Sequence, residues 1–295
     1  MRDFKNSDQM KAFMRKESKR LNISINNIYN TFIARTVLER ISKYNNQKIL
    51  IKGSSASVMY LGRLVRPITD LDVASLGSAD EVINYLNIIL KDSDNDNFNF
   101  ALSNSIKKTK TGMHKTSLNA KFGKLNQYIG IDLEDNYSKL IEPELRMMPK
   151  IFEGDEPFYL YVPSFEEYLA EKLCIMVENN RNDILNTRVK DFYDIYQLHG
   201  GNYDSDKLTR YFIKMLKLRG KIDLSEIETL CFNELFIRNH QQLWDNTKIK
   251  LSFLDNEIDL EGAVYYSRAV IRENLQKLGQ EMDDNIGLQY KKGRL

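Results

Sequence analysis

Apolar positions along the chain change their spacing twice, and this divides the sequence into three parts. Between residues 7 and 44 they recur every three or four positions, which predicts helices that pack on a core. Between residues 49 and 133, short apolar or alternating runs predict strands, with a short helix after Gly53 and a second helix at 79–90. From residue 164 onward the spacing is helical. The helices predicted there are 165–177, 188–198, 205–218, 224–237, 241–254 and 260–278.

The strand-rich part contains the runs from which a sheet is expected. Besides Ile49–Ile51 and an alternating segment at 70–75, strands are predicted at 98–106, 114–122 and 125–133, with turns at Gly112 and Gly123. Prolines then become frequent, at Pro143, Pro149, Pro157 and Pro163, and predict a connector with a strand at 158–162. We therefore expect a mixed α/β (α+β) fold. Its regions are 1–47, helices packed on the core; 48–140, a sheet lobe; 141–163, the connector; and 164–295, a helical lobe.

The stretch from residue 49 to residue 75 concentrates candidate chemistry. A buried strand breaks at Gly53-Ser54-Ser55, a short helix follows, and the next strand alternates Asp70 and Asp72 with apolar residues. Side chains two apart on a strand point to the same face, so both carboxylates project together. We expect these carboxylates to bind Mg²⁺, which takes oxygen ligands and is commonly bound by carboxylates and substrate phosphates together.

The turn before this short helix predicts the complementary half of a nucleotide site. Backbone N–H groups at a helix N-terminus bind anions, and the hydroxyl of Ser54 or of Ser55 is positioned to add a donor. Arg66 and Thr69 lie between the turn and the carboxylates. A nucleoside triphosphate with its metal suits this arrangement, whereas the alternative is a solvated turn and a solvated strand end.

A second candidate pair lies in the helical part. Ser164 and Glu167 form a capping box, and the helix they begin carries Lys172 on an otherwise apolar stripe. Either its amine reaches solvent along a buried stem, or it binds triphosphate oxygens as a point charge. Asp191 and Asp194 lie three apart on the next helix, on adjacent positions of one surface.

The glycine turn and D-x-D segment resemble the signature of the nucleotidyltransferase superfamily, which has a polymerase-beta-like fold. Together with Ala170-Glu-Lys-Leu173 and Arg188-x-Lys-Asp-Phe-Tyr-Asp-Ile-Tyr196, they resemble the AbiEii/AbiGii toxin family, the toxin half of type IV toxin–antitoxin and abortive-infection systems. The resemblance extends from about residue 48 to residue 199. It implies a nucleotidyltransferase sheet lobe followed by a helical lobe.

The resemblance also implies residue roles and partners. Lys172 and Asp191 would belong to the active site, with Asp191 orienting Lys172 or acting as a base. Asp132, in a neighbouring strand, would be a third metal ligand beside Asp70 and Asp72, or else a solvated strand end. A nucleotide, GTP or CTP, would be transferred to RNA, including transfer RNA 3′ ends. The antitoxin would act without a tight complex. Transfer to a small molecule or protein hydroxyl is the alternative.

Composition adds limits to these expectations. A hydrophobic content of 42% and a mean hydropathy of −0.47 are typical of a soluble globular protein. No apolar run reaches the roughly 18 residues that span a bilayer, and the charged N-terminus differs from a secretory signal. Cys174 and Cys231 are predicted to be buried free thiols, which fits a cytoplasmic protein without a membrane partner.

Net charge is only +2, but its distribution is uneven. No acidic residue lies between Asp96 and Asp132, an interval that contains Lys107, Lys108, Lys110, Lys115, Lys121 and Lys124. The N-terminal helix is also basic. Such local fields attract polyanions and would suit an RNA acceptor, although lysine-rich hairpins are commonly just solvated.

Overall fold

The computed structural model describes residues 4–44, 46–91, 98–103, 105–109, 112–135, 143–181, 188–198, 201–218, 233–255 and 257–292. The chain divides into two units, Met1–Ser164 with Leu251–Asp255 and Phe165–Lys250 with Asn256–Leu295. The first contains the sheets and the second is helical. The predicted mixed α/β fold is confirmed.

The first unit alternates helices and strands around one main sheet. Its helices are α1 (Ser7–Leu21), α2 (Ile25–Tyr44), α3 (Gly53–Leu61) and α4 (Ala79–Lys91). Its strands are β1 (Ile49–Ile51), β2 (Asp70–Ser75), β3 (Asn99–Leu102), β4 (Lys107–Lys108), β5 (His114–Phe122), β6 (Leu125–Glu134), β7 (Glu144–Met148) and β8 (Phe158–Val162). The predicted strand at 98–106 is shorter than expected, ending at Leu102.

The main sheet is mixed, with the strand order β1-β2-β6-β5-β3 and with β4 paired to β5. Strands β2 and β6 run parallel, and the other pairs are antiparallel. The alternation of β2, β5 and β6 sends apolar side chains to one face, where they are buried. The buried side chains of that face include Leu71, Val73, Leu118, Ala120, Ile129, Ile131 and Leu133. The opposite face is therefore polar.

Phenylalanines close the core between this buried face and the N-terminal helices. The ring of Phe32 on α2 lies 5.8 Å from that of Phe4 and 6.1 Å from that of Phe98, measured between centroids. The buried Arg40 donates to the carbonyl oxygens of Leu90 and Phe98, at 2.9 and 3.3 Å. The helical layer predicted for the N-terminal region thus packs on the core.

The connector region contains a small second sheet. The predicted strand at 158–162 is present as β8, and it pairs antiparallel with β7, which the sequence did not predict. β7 has only 5 residues and lies between Pro143 and Pro149. Prolines commonly interrupt strands, so the sequence alone predicts a connector in this segment. Pairing with β8 supplies the hydrogen bonds that make this segment a strand.

The second unit consists of α5 (Phe165–Arg181), α6 (Val189–Gln197), α7 (Ser205–Leu218), α8 (Glu234–Lys250) and α9 (Leu260–Lys292). The predicted break near residue 240 is wrong, because α8 is continuous there, and the Asn233 side chain caps its start by accepting from the Phe236 N–H at 2.8 Å. The start of the predicted 224–237 helix lies outside the described residues. Cys174 is a buried free thiol, and Cys231 also lies outside the described residues.

Within the described part of the chain, no helix combines the length and the apolar character that crossing a membrane requires.

Candidate active site

The glycine of the Gly-Ser turn lies against the second carboxylate of the D-x-D segment. Gly53 begins α3 with a φ of +57°, a backbone conformation that favours glycine. A Cβ built at Gly53 would lie 1.7 Å from Asp72 Oδ2, so only hydrogen can occupy that space. The Lys52 N–H donates to the Asp72 carbonyl oxygen at 2.9 Å. The sequence predicted both halves of this arrangement, and the structure brings them into contact.

Both serines that follow Gly53 are buried and carry unsatisfied hydroxyls. Ser54 and Ser55 are 3% and 1% exposed, and neither Oγ has a hydrogen-bond partner among the residues that the structure describes. Lys52, at the N-cap position of α3, makes no side-chain capping bond. Buried polar groups are normally paired, and leaving one unpaired costs about 1–3 kcal/mol. The start of α3 is therefore suited to an oxygen-rich ligand.

The strand register aligns the three predicted carboxylates. Asp72 on β2 lies directly opposite Asp132 on β6, and Asp70 lies opposite Gly130. Residues directly opposite each other share a face of the sheet, so all three carboxylates belong to the polar face. The Thr69 hydroxyl donates to Asp70 Oδ1 at 3.3 Å. Arg66, also predicted in this site, is buried.

Two lysines pair with carboxylates of β6. Lys115 Nζ donates to Asp132 Oδ2 at 2.6 Å, from the directly opposite position on β5. Lys52 Nζ donates to Glu134 Oε2 at 2.7 Å. The sequence suggested a metal ligand or a solvated strand end for Asp132, and it offered no signal for the lysine beside it. Such pairing lowers the charge repulsion along this edge of the polar face.

The carboxylates of the polar face suit a hard divalent cation whose remaining ligands come from the substrate. Across the described ranges, no three His, Cys, Asp or Glu side chains are grouped as a set that could hold a metal ion. Asp70 and Asp72 supply carboxylate oxygens, the ligand type that Mg²⁺ takes, and Mg²⁺ commonly uses one or two carboxylates plus substrate phosphates. The residues therefore fit Mg²⁺ bound together with a triphosphate.

In the second unit, Lys172 lies in a buried network of charges. Lys172 Nζ on α5 donates to Asp191 Oδ1 at 3.0 Å and to Asp194 Oδ2 at 2.8 Å, both on α6. Arg188 Nε donates to the other oxygen of Asp191 at 2.6 Å. Lys172 is only 6% exposed, so its amine does not extend into solvent. The predicted solvent-reaching stem is therefore excluded, and the amine is instead bonded to two carboxylates of the neighbouring helix.

Neighbouring charged side chains determine the pKa of Asp191. Burial by itself would raise the pKa of its carboxyl group, but Lys172 and Arg188 outweigh burial, and the pKa lies below its usual range. The nearby Asp194 acts in the opposite direction. Asp191 is thus ionised at neutral pH, and its low pKa makes it a poor proton acceptor.

Asp194 and Arg188 belong to this network, although the sequence assigned neither of them a role in the site. The spacing of Asp191 and Asp194 indicated a shared helix surface but did not show whether that surface is buried or exposed. Both aspartates are buried, at 1% and 0% exposed. Burial, which the spacing alone does not reveal, separates the two interpretations.

The predicted site residues are distributed over both units. Those of the glycine turn and the carboxylate strands lie in the first, namely Gly53, Ser54, Ser55, Arg66, Thr69, Asp70, Asp72 and Asp132. Lys172 and Asp191 lie in the second. A strand, a glycine turn, a helix and an acidic strand on a mixed sheet match the nucleotidyltransferase signature that the sequence resembles.

The comparison with protein families gives the group within this class. The chain belongs to the family described as the AbiEii nucleotidyl transferase toxin of type IV toxin–antitoxin systems, whose model matches residues 37–272. The family resemblance and the enzyme class predicted from the sequence are thereby confirmed. A search of curated proteins found no match.

Solved structures similar to this chain include one from Helicobacter pylori and one from Paracoccidioides brasiliensis. JHP933 from Helicobacter pylori is 16% identical, with 90% of this chain and 99% of that chain covered and a TM-score of 0.47. An antigenic nucleotidyltransferase-like protein from Paracoccidioides brasiliensis is 15% identical, with 68% and 92% covered and a TM-score of 0.35.

Proposed function

We propose that this nucleotidyltransferase toxin moves a nucleoside monophosphate from a nucleoside triphosphate, GTP or CTP, to the 3′ end of an RNA, with transfer RNA as the candidate acceptor. The growth arrest that follows would act in abortive infection by phage. The hydroxyl oxygen of the acceptor bonds to the α-phosphorus while the bond to the β-phosphate breaks. Pyrophosphate leaves, and the proton of the hydroxyl is released to solvent.

The contact between Gly53 and Asp72 is the single observation that carries this proposal. It brings the start of a helix, which attracts phosphate, against a carboxylate, which attracts a metal ion. A triphosphate with its cation has both kinds of group next to each other. The unsatisfied hydroxyls of Ser54 and Ser55 support the same assignment, because phosphate oxygens would accept from them.

Asp70 and Asp72 would hold Mg²⁺, with Asp132 as a further ligand once Lys115 releases it. Bound there, the metal supplies Lewis-acid stabilisation of charge on the phosphate oxygens. Ser54, Ser55 and the N–H groups at the start of α3 bind and orient the phosphates. Arg66 and Thr69 are assigned to the same nucleotide-binding group.

Lys172 is assigned to neutralise phosphate charge, and Asp191 to position Lys172. The low pKa of Asp191 favours positioning over general-base catalysis, since an efficient base has a pKa near the working pH. Asp194 contacts the same amine and is assigned the same positioning role. Electrostatic positioning of this type is a major source of enzymatic rate.

The decisive experiment compares the wild type with Asp72→Asn. Each protein is incubated with labelled GTP or CTP, Mg²⁺ and total RNA, and incorporation into RNA is measured beside growth on expression. We expect at least a hundredfold loss of transfer and loss of growth arrest in Asp72→Asn, because an amide does not hold the cation as a carboxylate does. Tyr159→Phe, which changes an exposed residue of β8, is the control and should behave as the wild type.

Other outcomes have definite meanings. Label found only on protein or on small molecules would replace the RNA acceptor with the alternative substrate class. Nucleotide binding without transfer would indicate a regulatory nucleotide-binding module instead of an enzyme. Full toxicity of Asp72→Asn would contradict the proposed site. Expression with the cognate antitoxin, followed by co-purification, tests whether the antitoxin acts without a tight complex, as proposed.

A further inference from the structure

The polar face of the main sheet continues past the carboxylates into an open surface. We call this surface, formed by Ser117, Asn119, Lys121, Asn126, Tyr128 and Gly130, the open face. These residues occupy alternate positions of β5 and β6, on the side opposite the buried Leu118, Ile129 and Ile131. A depression of about 340 Å³ lies on it and is lined by Asn119, Lys121, Asn126 and Tyr128 among others.

Tyr128 is an exposed aromatic residue at the centre of this surface. Its side chain is 61% exposed. The residue directly opposite it on β5 is the polar Asn119, so the ring has no apolar partner at that position. Asn119 Nδ2 donates to Asn126 Oδ1 at 2.7 Å, so these amides are held beside the ring. An exposed ring among amides and lysines can stack on a nucleobase, and every base offers a flat face for stacking.

Gly130 leaves a gap between this ring and the carboxylates. It lies directly opposite Asp70 on β2 and Ser117 on β5. A Cβ at Gly130 would meet no atom within 4 Å, so no side chain blocks the sheet surface there. Tyr128 and Asp132 are four residues apart on one strand, about 13 Å at the usual rise. With no side chain at Gly130, a chain that stacks on Tyr128 can cross β6 at that position toward Asp70.

Positive charge on this face matches a polyanion. Lys107, Lys115 and Lys121 belong to the same side of the sheet, as the β4–β5 and β5–β6 registers require. Lys121 and Lys107 are exposed, whereas Lys115 is paired with Asp132. The basic stretch of α1 is less suited, because Lys16 pairs with Glu153 and Arg20 with Glu17.

We propose that the open face binds the single-stranded 3′ segment of the RNA acceptor. A base near the 3′ end stacks on Tyr128, Asn119 and Asn126 contact base or sugar edges, and the backbone crosses Gly130 toward Asp70. The assignment rests on the proposed function for the identity of the acceptor. Its physical basis, an exposed ring on a basic sheet surface with a glycine beside it, is independent of that function.

The test measures RNA binding and nucleotide transfer separately. A labelled oligoribonucleotide with a single-stranded 3′ end is titrated with protein in the absence of nucleoside triphosphate, and KM and kcat for transfer are then determined. Tyr128→Ala should weaken binding and raise KM by about 5- to 150-fold, the usual worth of one stacked base. Tyr128→Phe should retain binding, since the ring remains. Tyr159→Ala, which removes a similarly exposed tyrosine on β8, should have no effect.

Gly130→Val tests the path between the ring and the carboxylates. Open space around Gly130 allows the fold to accept the side chain, and valine suits a strand, so thermal stability should be retained or raised. Transfer to RNA should fall at least tenfold, while binding of the labelled triphosphate stays at the wild-type level. A stable Gly130→Val protein with full transfer would overturn the proposed path.

The results also separate this inference from the proposed function. If the wild type transfers nucleotide to RNA and Tyr128→Ala binds the oligoribonucleotide as well as the wild type, the open face is not the acceptor site and the inference fails alone. If Tyr128→Ala loses RNA binding but the wild type transfers nothing to RNA, the surface stands and the proposed function fails. If the wild type transfers the label to protein and not to RNA, and Tyr128→Ala loses that transfer, the open face binds a protein acceptor and the RNA assignment fails.

Discussion

At the scale of single residues, Gly53 and Asp72 show how one contact constrains two motifs. The sequence separates them by a helix and a turn, yet the glycine hydrogen occupies the space beside the Asp72 carboxylate. A larger residue at position 53 would displace that carboxylate or the start of α3. The glycine is therefore required by the tertiary contact as well as by its positive φ.

We expect Gly53→Ala to lose more stability and activity than Gly62→Ala. Both glycines have a positive φ, +57° and +64°, so both substitutions incur left-handed strain of roughly 1–2 kcal/mol. Only at Gly53 would the new Cβ collide with Asp72, whereas nothing lies within 4 Å at Gly62. Urea unfolding and nucleotide transfer measure the two effects. Equal losses in both variants would contradict a specific role for the Gly53–Asp72 contact.

At the scale of elements, α5 and α6 are joined by charges that lie inside the second unit. Lys172 pairs with both Asp191 and Asp194, and Arg188 adds a second contact to Asp191, so removal of Lys172 takes a positive partner from both buried aspartates. Breaking such a buried pair typically costs about 3–5 kcal/mol. The same contacts that position Lys172 therefore also stabilise the helix pair.

The low pKa of Asp191 makes this stabilisation depend on pH. Its folded-state pKa lies below the unfolded value near 3.9. The contribution is fully present above about pH 4 and is lost as the pH falls through the folded-state pKa. We expect the difference in unfolding free energy between the wild type and Asp191→Asn to be large at pH 7 and to shrink below pH 4.

Chemical denaturation between pH 7 and pH 3 measures that difference. Glu234→Gln is the matched control, because the Glu234–Arg238 pair on α8 is largely exposed, at 77% for each side chain, and exposed pairs contribute little. The control should follow the wild type at every pH. A difference for Asp191→Asn that is constant with pH would contradict the assigned pKa direction.

At the scale of the whole molecule, charge is arranged by segment while the net charge stays near zero. The stretch without acidic residues is folded into β3, β4, β5 and part of β6, and its described lysines lie on the strands that belong to the carboxylate-bearing sheet or, for Lys124, in the turn between β5 and β6. Lys110 lies outside the described residues. This distribution predicts electrostatic attraction of RNA to one sheet without a strongly basic protein overall.

Salt dependence of RNA binding tests the arrangement. The double variant Lys107→Ala/Lys121→Ala should lower the slope of log affinity against log salt concentration by about 1.4, since each phosphate contact to a single strand contributes about 0.7. Lys16→Ala is the control, because this lysine pairs with Glu153. The binding of the labelled oligoribonucleotide is measured at several salt concentrations. Equal slopes for all proteins would exclude these lysines from the phosphate contacts.

Local patterns in the sequence determined a large part of this protein. Helical and strand spacing predicted the mixed α/β fold, including α7 and β8, and the Gly-Ser and D-x-D motifs indicated the nucleotidyltransferase class. These features depend on residues that are close along the chain, where periodicity and turn chemistry act. The break predicted within α8 failed because the helix continues through a stretch whose local pattern is weak.

Only the tertiary structure decided which side chains meet. The pairing of Lys115 with Asp132 depends on the β5–β6 register, and that of Lys172 with Asp194 depends on how α5 packs against α6. The strand β7 likewise depends on its partner β8. Such contacts join residues distant in sequence, and their energy comes from burial and register, which spacing along one segment does not contain.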